Sequence, residues 1–303
     1  MSKRNGLLIV IFTLVISCAT LLAEAYPVTV IDSLGREVHL AKRPERIISL
    51  APANTENLFR LGLADRIVGV TEWCNYPAEA AAKPKIGDFY SPNLELIIEQ
   101  APDLVVTAGG LQQTLQYINR LTELDIPVYV FEPGSIDEVI RGINNLGIMT
   151  DTTKTANEIT AAMEGEIERV QKLVSGKSNQ PEVFVVVGIF DGFITSVGPN
   201  TFIHEVIQTA GGTNAAADAK EEWPRYSLEV LIEKDPDVII SMTQYYPDGA
   251  ESIFDLWGWE ELTAVNTKRV HEVSNPDIIS RGTYRIPSIL TEIAQVLHPG
   301  TID

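Results

Sequence analysis

The side chains of this sequence best placed to do chemistry are suited to holding a ligand rather than breaking a bond. Trp73 and Tyr76, Phe89 and Tyr90, Phe190 and Phe193, and Trp223 and Tyr226 occur in pairs, each in a stretch that reads as a loop beside a strand or helix. Rings gathered in loops offer flat apolar faces to a ligand, and for any single ring ordinary packing is the alternative. Arg225, Arg281 and Arg285 add cations near the same region. They fit ligand carboxylates or phosphate, or else pair with Asp277 and other acids of the chain. Glu95 and Glu229 form a third set. Each is the second residue of an expected helix, behind Asn93 or Ser227 as cap, where the helix dipole favours an acid by roughly 0.3–1 kcal/mol. They also hold equivalent places in an internal repeat, which suits a symmetric partner.

Signatures of catalysis and of bound metal are missing. There is no Gly-x-Ser-x-Gly elbow and no Gly-x-Gly-x-x-Gly turn. Gly176-Lys177-Ser178 ends like a phosphate loop, but the glycine needed five residues earlier is Gln171. Gly109-Gly110 and Gly211-Gly212 read as tight turns. His39, His204, His271 and His298 are scattered, without metal-binding spacing. The expectation is therefore no catalytic residue, no metal and no resident cofactor, with an exported enzyme as the alternative. A net charge of −18 excludes a phosphate-tracking nucleic-acid binder. Cys18 and Cys74 are the only cysteines, too few for a disulfide framework.

The elements that must position these residues follow from pattern. Lys3-Arg4, an apolar run over 6–22 and Ala23-Glu24-Ala25 read as a cleaved signal peptide over residues 1–25, with a membrane anchor as the alternative. Val15-Ile16-Ser17-Cys18 resembles a lipoprotein box, so a lipid anchor at Cys18 is a further possibility. Either way the chain is expected outside the cytoplasm, with Cys74 a buried thiol. Residues 28–40 read as a β-hairpin. Short apolar runs at 47–50, 67–70, 104–107, 128–131, 183–187, 238–241 and 270–273 read as strands covered on both faces. Residues 152–175 carry apolar side chains at helical spacing and stop at Gly176, one long helix.

Leu94-Glu95-Leu96-Ile97-Ile98-Glu99 with Pro102-Asp103 and its strand recurs as Leu228-Glu229-Val230-Leu231-Ile232-Glu233 with Pro236-Asp237 and its strand. Each copy reads as helix, Pro-Asp turn and buried strand. The fold class is therefore α/β, two Rossmann-like lobes with mostly parallel sheets bridged by one long α-helix. The expected divisions are 26–150 for the first lobe with its hairpin, 151–176 for the bridge and 177–303 for the second lobe. A ligand belongs in the cleft beyond the strands' carboxyl ends.

Several of these stretches resemble a known family, the periplasmic substrate-binding proteins of ABC importers for cobalamin, ferric siderophores and haem. The resemblance rests on Val30-Ile31-Asp32-Ser33-Leu34-Gly35-Arg36, on Pro44-Glu45-Arg46-Ile47-Ile48-Ser49-Leu50-Ala51-Pro52-Ala53-Asn54-Thr55-Glu56, on Tyr76-Pro77, and on Ala210-Gly211-Gly212-Thr213-Asn214. Ser49 to Glu56 and Tyr76-Pro77 look most like the cobalamin branch. The resemblance implies a monomeric carrier that hands a small molecule to a permease dimer with a cytoplasmic ATPase. It implies that Glu95 and Glu229 dock on permease arginines, and that Tyr76, Phe89, Phe193 and Trp223 contact a corrinoid. Ala108 stands where that branch has a tryptophan, and Arg225, Arg281 and Arg285 also fit a carboxylate-rich siderophore, so iron transport is the second reading.

Overall fold

A computed structural model describes residues 26–109, 112–242 and 257–301. The expected signal segment, with Cys18, and Gly110 of the first glycine pair lie outside the described residues. The chain enters through an antiparallel hairpin, β1 (Val28–Ile31) and β2 (Glu37–Leu40), in the expected place. Asp32 closes its turn: its carboxylate accepts from the backbone of Leu34 and Arg36 and pairs with the Arg36 guanidinium.

The first lobe holds β3 (Ile47–Ser49), α1 (Pro52–Arg60), β4 (Ile67–Val70), α2 (Ala78–Ala81), α3 (Leu94–Glu99), β5 (Leu104–Thr107), α4 (Gln112–Glu123), β6 (Val128–Val130) and α5 (Ile136–Thr150). Its sheet runs β4-β3-β5-β6, parallel throughout. Every residue of β3, β5 and β6 is buried, as their unbroken apolar runs require when helices cover both faces. The bridge, α6 (Thr153–Val174), presents Ala156, Ile159, Met163, Ile167, Val170 and Val174 inward and packs on α5. Gly176, at φ 84°, takes the left-handed turn that releases the chain.

The second lobe holds β7 (Glu182–Val186), β8 (Gly188–Phe190), β9 (Phe193–Thr195), α7 (Phe202–Thr209), β10 (Thr213–Asn214), β11 (Arg225–Tyr226), α8 (Leu228–Lys234), β12 (Val238–Ser241), α9 (Thr263–Asn266), β13 (Val270–Glu272), α10 (Pro276–Ser280) and α11 (Ile286–Leu297). Its parallel sheet runs β10-β7-β12-β13, the order of the first lobe strand for strand. Helix α11 also packs on α6, and one apolar cluster runs from Leu58 and Val106 through α6 to Val183 and Ile240.

The repeat is structural down to single side chains. Asp103 accepts from the backbone N–H groups of Glu45 and Arg46, tying the start of β5 to that of β3. Asp237 accepts from Glu182 N–H and ties β12 to β7 in the same way. Ala101 and Asp235, at the same place in each copy, both adopt positive φ, 43° and 40°.

One expectation needs correcting. Phe190, Phe193 and Tyr226 do not lie in open loops: β8, β9 and β11 form a small antiparallel sheet, in the order β11-β9-β8. Ile189 and Phe190 on β8 and Phe193 on β9 stay largely exposed. The run is too short and too mixed in polarity to show a strand period.

Candidate ligand cleft and docking face

The predicted rings lie in two stretches of the chain, between β4 and α3 on the first lobe and on or beside the small β11-β9-β8 sheet on the second. Trp73, past the end of β4, is exposed, and its indole N–H donates to Asp88 at 2.7 Å. Phe89 is half-buried, edge-on to Tyr90 with ring centres 5.0 Å apart. On the second lobe Phe193 lies under the Arg225 guanidinium, 5.0 Å from its ring centre, and that guanidinium also donates to the carbonyl of Phe190. Trp223 sits on an extended stretch fixed to β9 and its continuation, where Ser196 N–H donates to Pro224 O and Gly198 N–H to Glu222 O. Trp73, Tyr76, Phe193 and Trp223 all keep exposed ring area.

The arginines divide into two kinds. Arg281 and Arg285 do not reach out toward solvent. Both converge on Glu56 of α1, whose side chain is fully buried, with nitrogen–oxygen distances of 2.7 and 2.9 Å. Arg281 also pairs with Asp277 at 2.8 Å and donates to Asn75, which donates to Asp277 in turn. Burial is the largest influence on the Glu56 carboxyl and pushes it up, against the pull of Arg281 and Arg285. Asn57, one residue on, accepts from Tyr284 N–H and donates to Gly282 O. Gly282 is needed there, because a Cβ would come within 2.7 Å of Pro133 on the first lobe. Tyr76 closes the set: its ring lies 4.2 Å from the Arg285 guanidinium. Burial and the hydrogen bond with Tyr76 push the Tyr284 phenol up to about 12, so it stays neutral.

Glu56, Asn57, Asn75 and Tyr284 were not singled out from sequence. Asn54-Thr55-Glu56-Asn57 is a buried polar run: Thr55 bonds Ser49 and Cys74 within the first lobe, while Glu56 and Asn57 meet residues 281–285 of the second. Glu132 and Glu222 were also missed. They approach from opposite lobes, and Glu132 is raised by burial first and by Glu222 second, although the residue as a whole is exposed. Nearby, Ile136 N–H donates to Glu205 across the lobes at 2.7 Å.

Glu95 and Glu229 are exposed, at the starts of α3 and α8. The expected caps are in place: Asn93 accepts from Glu95 and Leu96 N–H, and Ser227 from Val230 N–H. The Ser227 hydroxyl holds the Glu229 carboxyl below its usual range. Each helix precedes a strand of its lobe's parallel sheet, α3 before β5 and α8 before β12, so the two glutamates hold equivalent places in the two lobes. Cys74 is buried as expected, with its Sγ beside the hydroxyls of Thr55 and Thr71.

This architecture, two parallel-sheet lobes joined by one long helix, is that of a solute-binding protein. The chain belongs to the periplasmic binding protein family, whose model matches residues 47–276. It is 31% identical over 284 residues to an uncharacterized ABC transporter substrate-binding lipoprotein of Bacillus subtilis, covering 92% of this chain and 88% of the relative. The periplasmic vitamin B12-binding protein of Vibrio cholerae superposes with a TM-score of 0.72 at 26% identity, over 84% of this chain and 96% of that one. The periplasmic heme-binding protein of Roseiflexus sp. RS-1 gives 0.69 at 27%, over 85% and 99%.

Proposed function

We propose that the protein is the extracytoplasmic carrier of an ABC importer and that its cleft takes a corrinoid. The observation that supports the ligand class is the division of the arginines. Glu56 and Asp277 balance the charge of Arg281 and Arg285. Arg225 remains exposed, over the Phe193 ring, with its guanidinium on the carbonyl of Phe190. A ligand with several ionised carboxylates, such as haem or a citrate-type siderophore, would meet a chain of net charge −18 with little to compensate it. A corrinoid has a flat conjugated ring and a rim of neutral amides, which suits Trp73, Phe193 and Trp223 beside acids. Arg225 favours the second reading, a ferric siderophore with a single anionic group to place on it.

Delivery to a permease rests on Glu95 and Glu229, two exposed acids at matched positions in the two lobes, placed to pair with cations of a two-fold partner. The test for the ligand is a fluorescence titration of the exported chain with cyanocobalamin, haemin and ferric siderophores. Cyanocobalamin should quench tryptophan emission and bind tightest, and Trp223→Ala should weaken binding by about 2 kcal/mol or more. No response to either tetrapyrrole would remove the corrinoid and haem readings together.

A further inference from the structure

We infer that Glu56 is a positioning residue for the ligand ring of Tyr76 and acts through Arg285, so that the hold on the ligand depends on contact between the lobes. The inference rests on the reading of Tyr76 as a ring that meets the ligand, and adds what keeps that ring in place.

Five side chains alternate between the lobes here. Glu56 of α1 meets Arg285 of the second lobe, whose Nη2 donates to Oε1 at 2.9 Å and whose Nε lies 2.9 Å from Oε2. The same guanidinium lies 4.2 Å from the centre of the Tyr76 ring, back on the first lobe. Tyr76 is hydrogen-bonded in turn with Tyr284 of the second lobe. The Tyr284 ring has the Arg60 guanidinium 5.3 Å from its centre, and Arg60 lies one helical turn beyond Glu56 on α1. Arg285 is therefore inserted between two groups of the opposite lobe, and so is Tyr284.

A guanidinium is planar, and contact with both oxygens of one carboxylate fixes its plane as well as its position. The Tyr76 ring rests on that fixed cation. The Arg285 side chain is only 11% exposed. Without Glu56 its charge would favour a move toward water, and the ring would lose its cationic support. Arg281 is less committed, because it divides between Glu56, Asp277 and Asn75. Tyr76 keeps 40% of its area open to a ligand. Trp73, three residues earlier, is held differently: its indole donates to Asp88 of its own lobe. One ring of this segment is thus fixed from within its lobe, and the other from across the junction. Parting of the lobes would draw Arg285 and Tyr284 away from Tyr76 together and leave Trp73 as it was.

The experiment takes two readouts on Glu56→Gln, Arg285→Lys and Tyr76→Ala, and on Tyr76→Ala combined with each of the other two. The first is affinity, by fluorescence titration with cyanocobalamin. Tyr76→Ala should weaken binding about thirty-fold, and Glu56→Gln and Arg285→Lys about tenfold each. In the Tyr76→Ala background each of those two should cost under about twofold, since the ring they act through is gone. Arg285→Lys leaves Glu56 a cation, so it serves where Glu56→Gln folds poorly. The second readout needs no ligand. In protein labelled with ring-13C tyrosine, the Tyr76 signal is the one absent from Tyr76→Phe. It should move toward the position of free tyrosine in Glu56→Gln and in Arg285→Lys. A Tyr76 signal unmoved in both, or affinity losses as large without the ring as with it, would overturn the inference and leave Glu56 a strut of the junction alone. If wild type leaves cyanocobalamin unbound, the corrinoid reading falls, and the Tyr76 signal decides this inference by itself.

Discussion

Two of the contacts between the lobes are of opposite character. Where α1 meets α10 and the approach to α11, Glu56 is enclosed by Arg281 and Arg285, and Asn57 bonds the facing backbone twice. Where the segment after β6 meets the segment before β11, Glu132 faces Glu222 with charge of the same sign. The first contact is closed by complementary groups that water cannot replace cheaply, while the second is held near solvent against a repulsion. The difference says where the cleft can yield. The Glu56 cluster is expected to be the stiffer contact, with relative movement of the lobes starting from the acidic side. Only small closure on ligand binding is expected, because among the described residues no multi-strand hinge joins the lobes.

Breaking the stiff side should give the largest effect. Glu56→Ala leaves two largely buried guanidinium groups without their shared counter-charge, and should cost about 3–5 kcal/mol in urea unfolding. That cost does not make the cluster a net stabiliser. Burial still pushes Glu56 up, so the desolvation of its carboxylate outweighs what the arginines return. X-ray scattering separates stiffness from stability: wild-type curves with and without ligand should nearly superimpose, and the variant's should not. A variant as stable and as stiff as wild type would show that α6 alone fixes the lobes.

Asn57 tests the same side at a smaller scale. Its amide donates to Gly282 O at 3.2 Å and accepts from Tyr284 N–H at 3.1 Å, and the side chain is buried. Asn57→Ala should cost about 1–3 kcal/mol, since both backbone groups lose a partner away from water. Protection from hydrogen exchange should fall at Tyr284 while β5 and β12 keep theirs. Loss of protection through both sheets would mean that Asn57 belongs to the global fold and not to the junction.

The sequence carries the lobes more fully than it carries the junction. Strands such as Ile67–Val70 and Val238–Ser241 are legible because burial on both faces demands continuous apolar runs. The repeat is legible because Pro102-Asp103 and Pro236-Asp237 do the same work, tying neighbouring strand starts. Glu56 is illegible for the converse reason: a polar residue on a helix reads as solvent-facing, and what buries it lies more than two hundred residues further along the chain. The arginines were visible, but their partner was not, so a ligand role and a structural one looked alike. The hairpin of Phe190 and Phe193 escaped because strands of three residues have no room for a period.

The smallest effect belongs to the acidic side and shows as a dependence on pH. Burial and Glu222 raise the Glu132 carboxyl above its ordinary value, which is about 4.3 in an unfolded chain. The folded state therefore holds that proton more tightly than the unfolded state does. Its contribution to stability is fully present below the unfolded value, and is lost as pH rises through the folded one. Glu132→Gln removes the titration and the repulsion together. The variant should match wild type in acid and exceed it slightly at neutral pH, with the gap opening between those two values. Because the residue as a whole is exposed, screening keeps the gain small, and added salt should shrink it further. Melting temperatures of both proteins across pH 4–7, at low and high salt, make the comparison. A constant offset at every pH would mean that the substitution acts through packing, and that the lobes do not repel one another on this side.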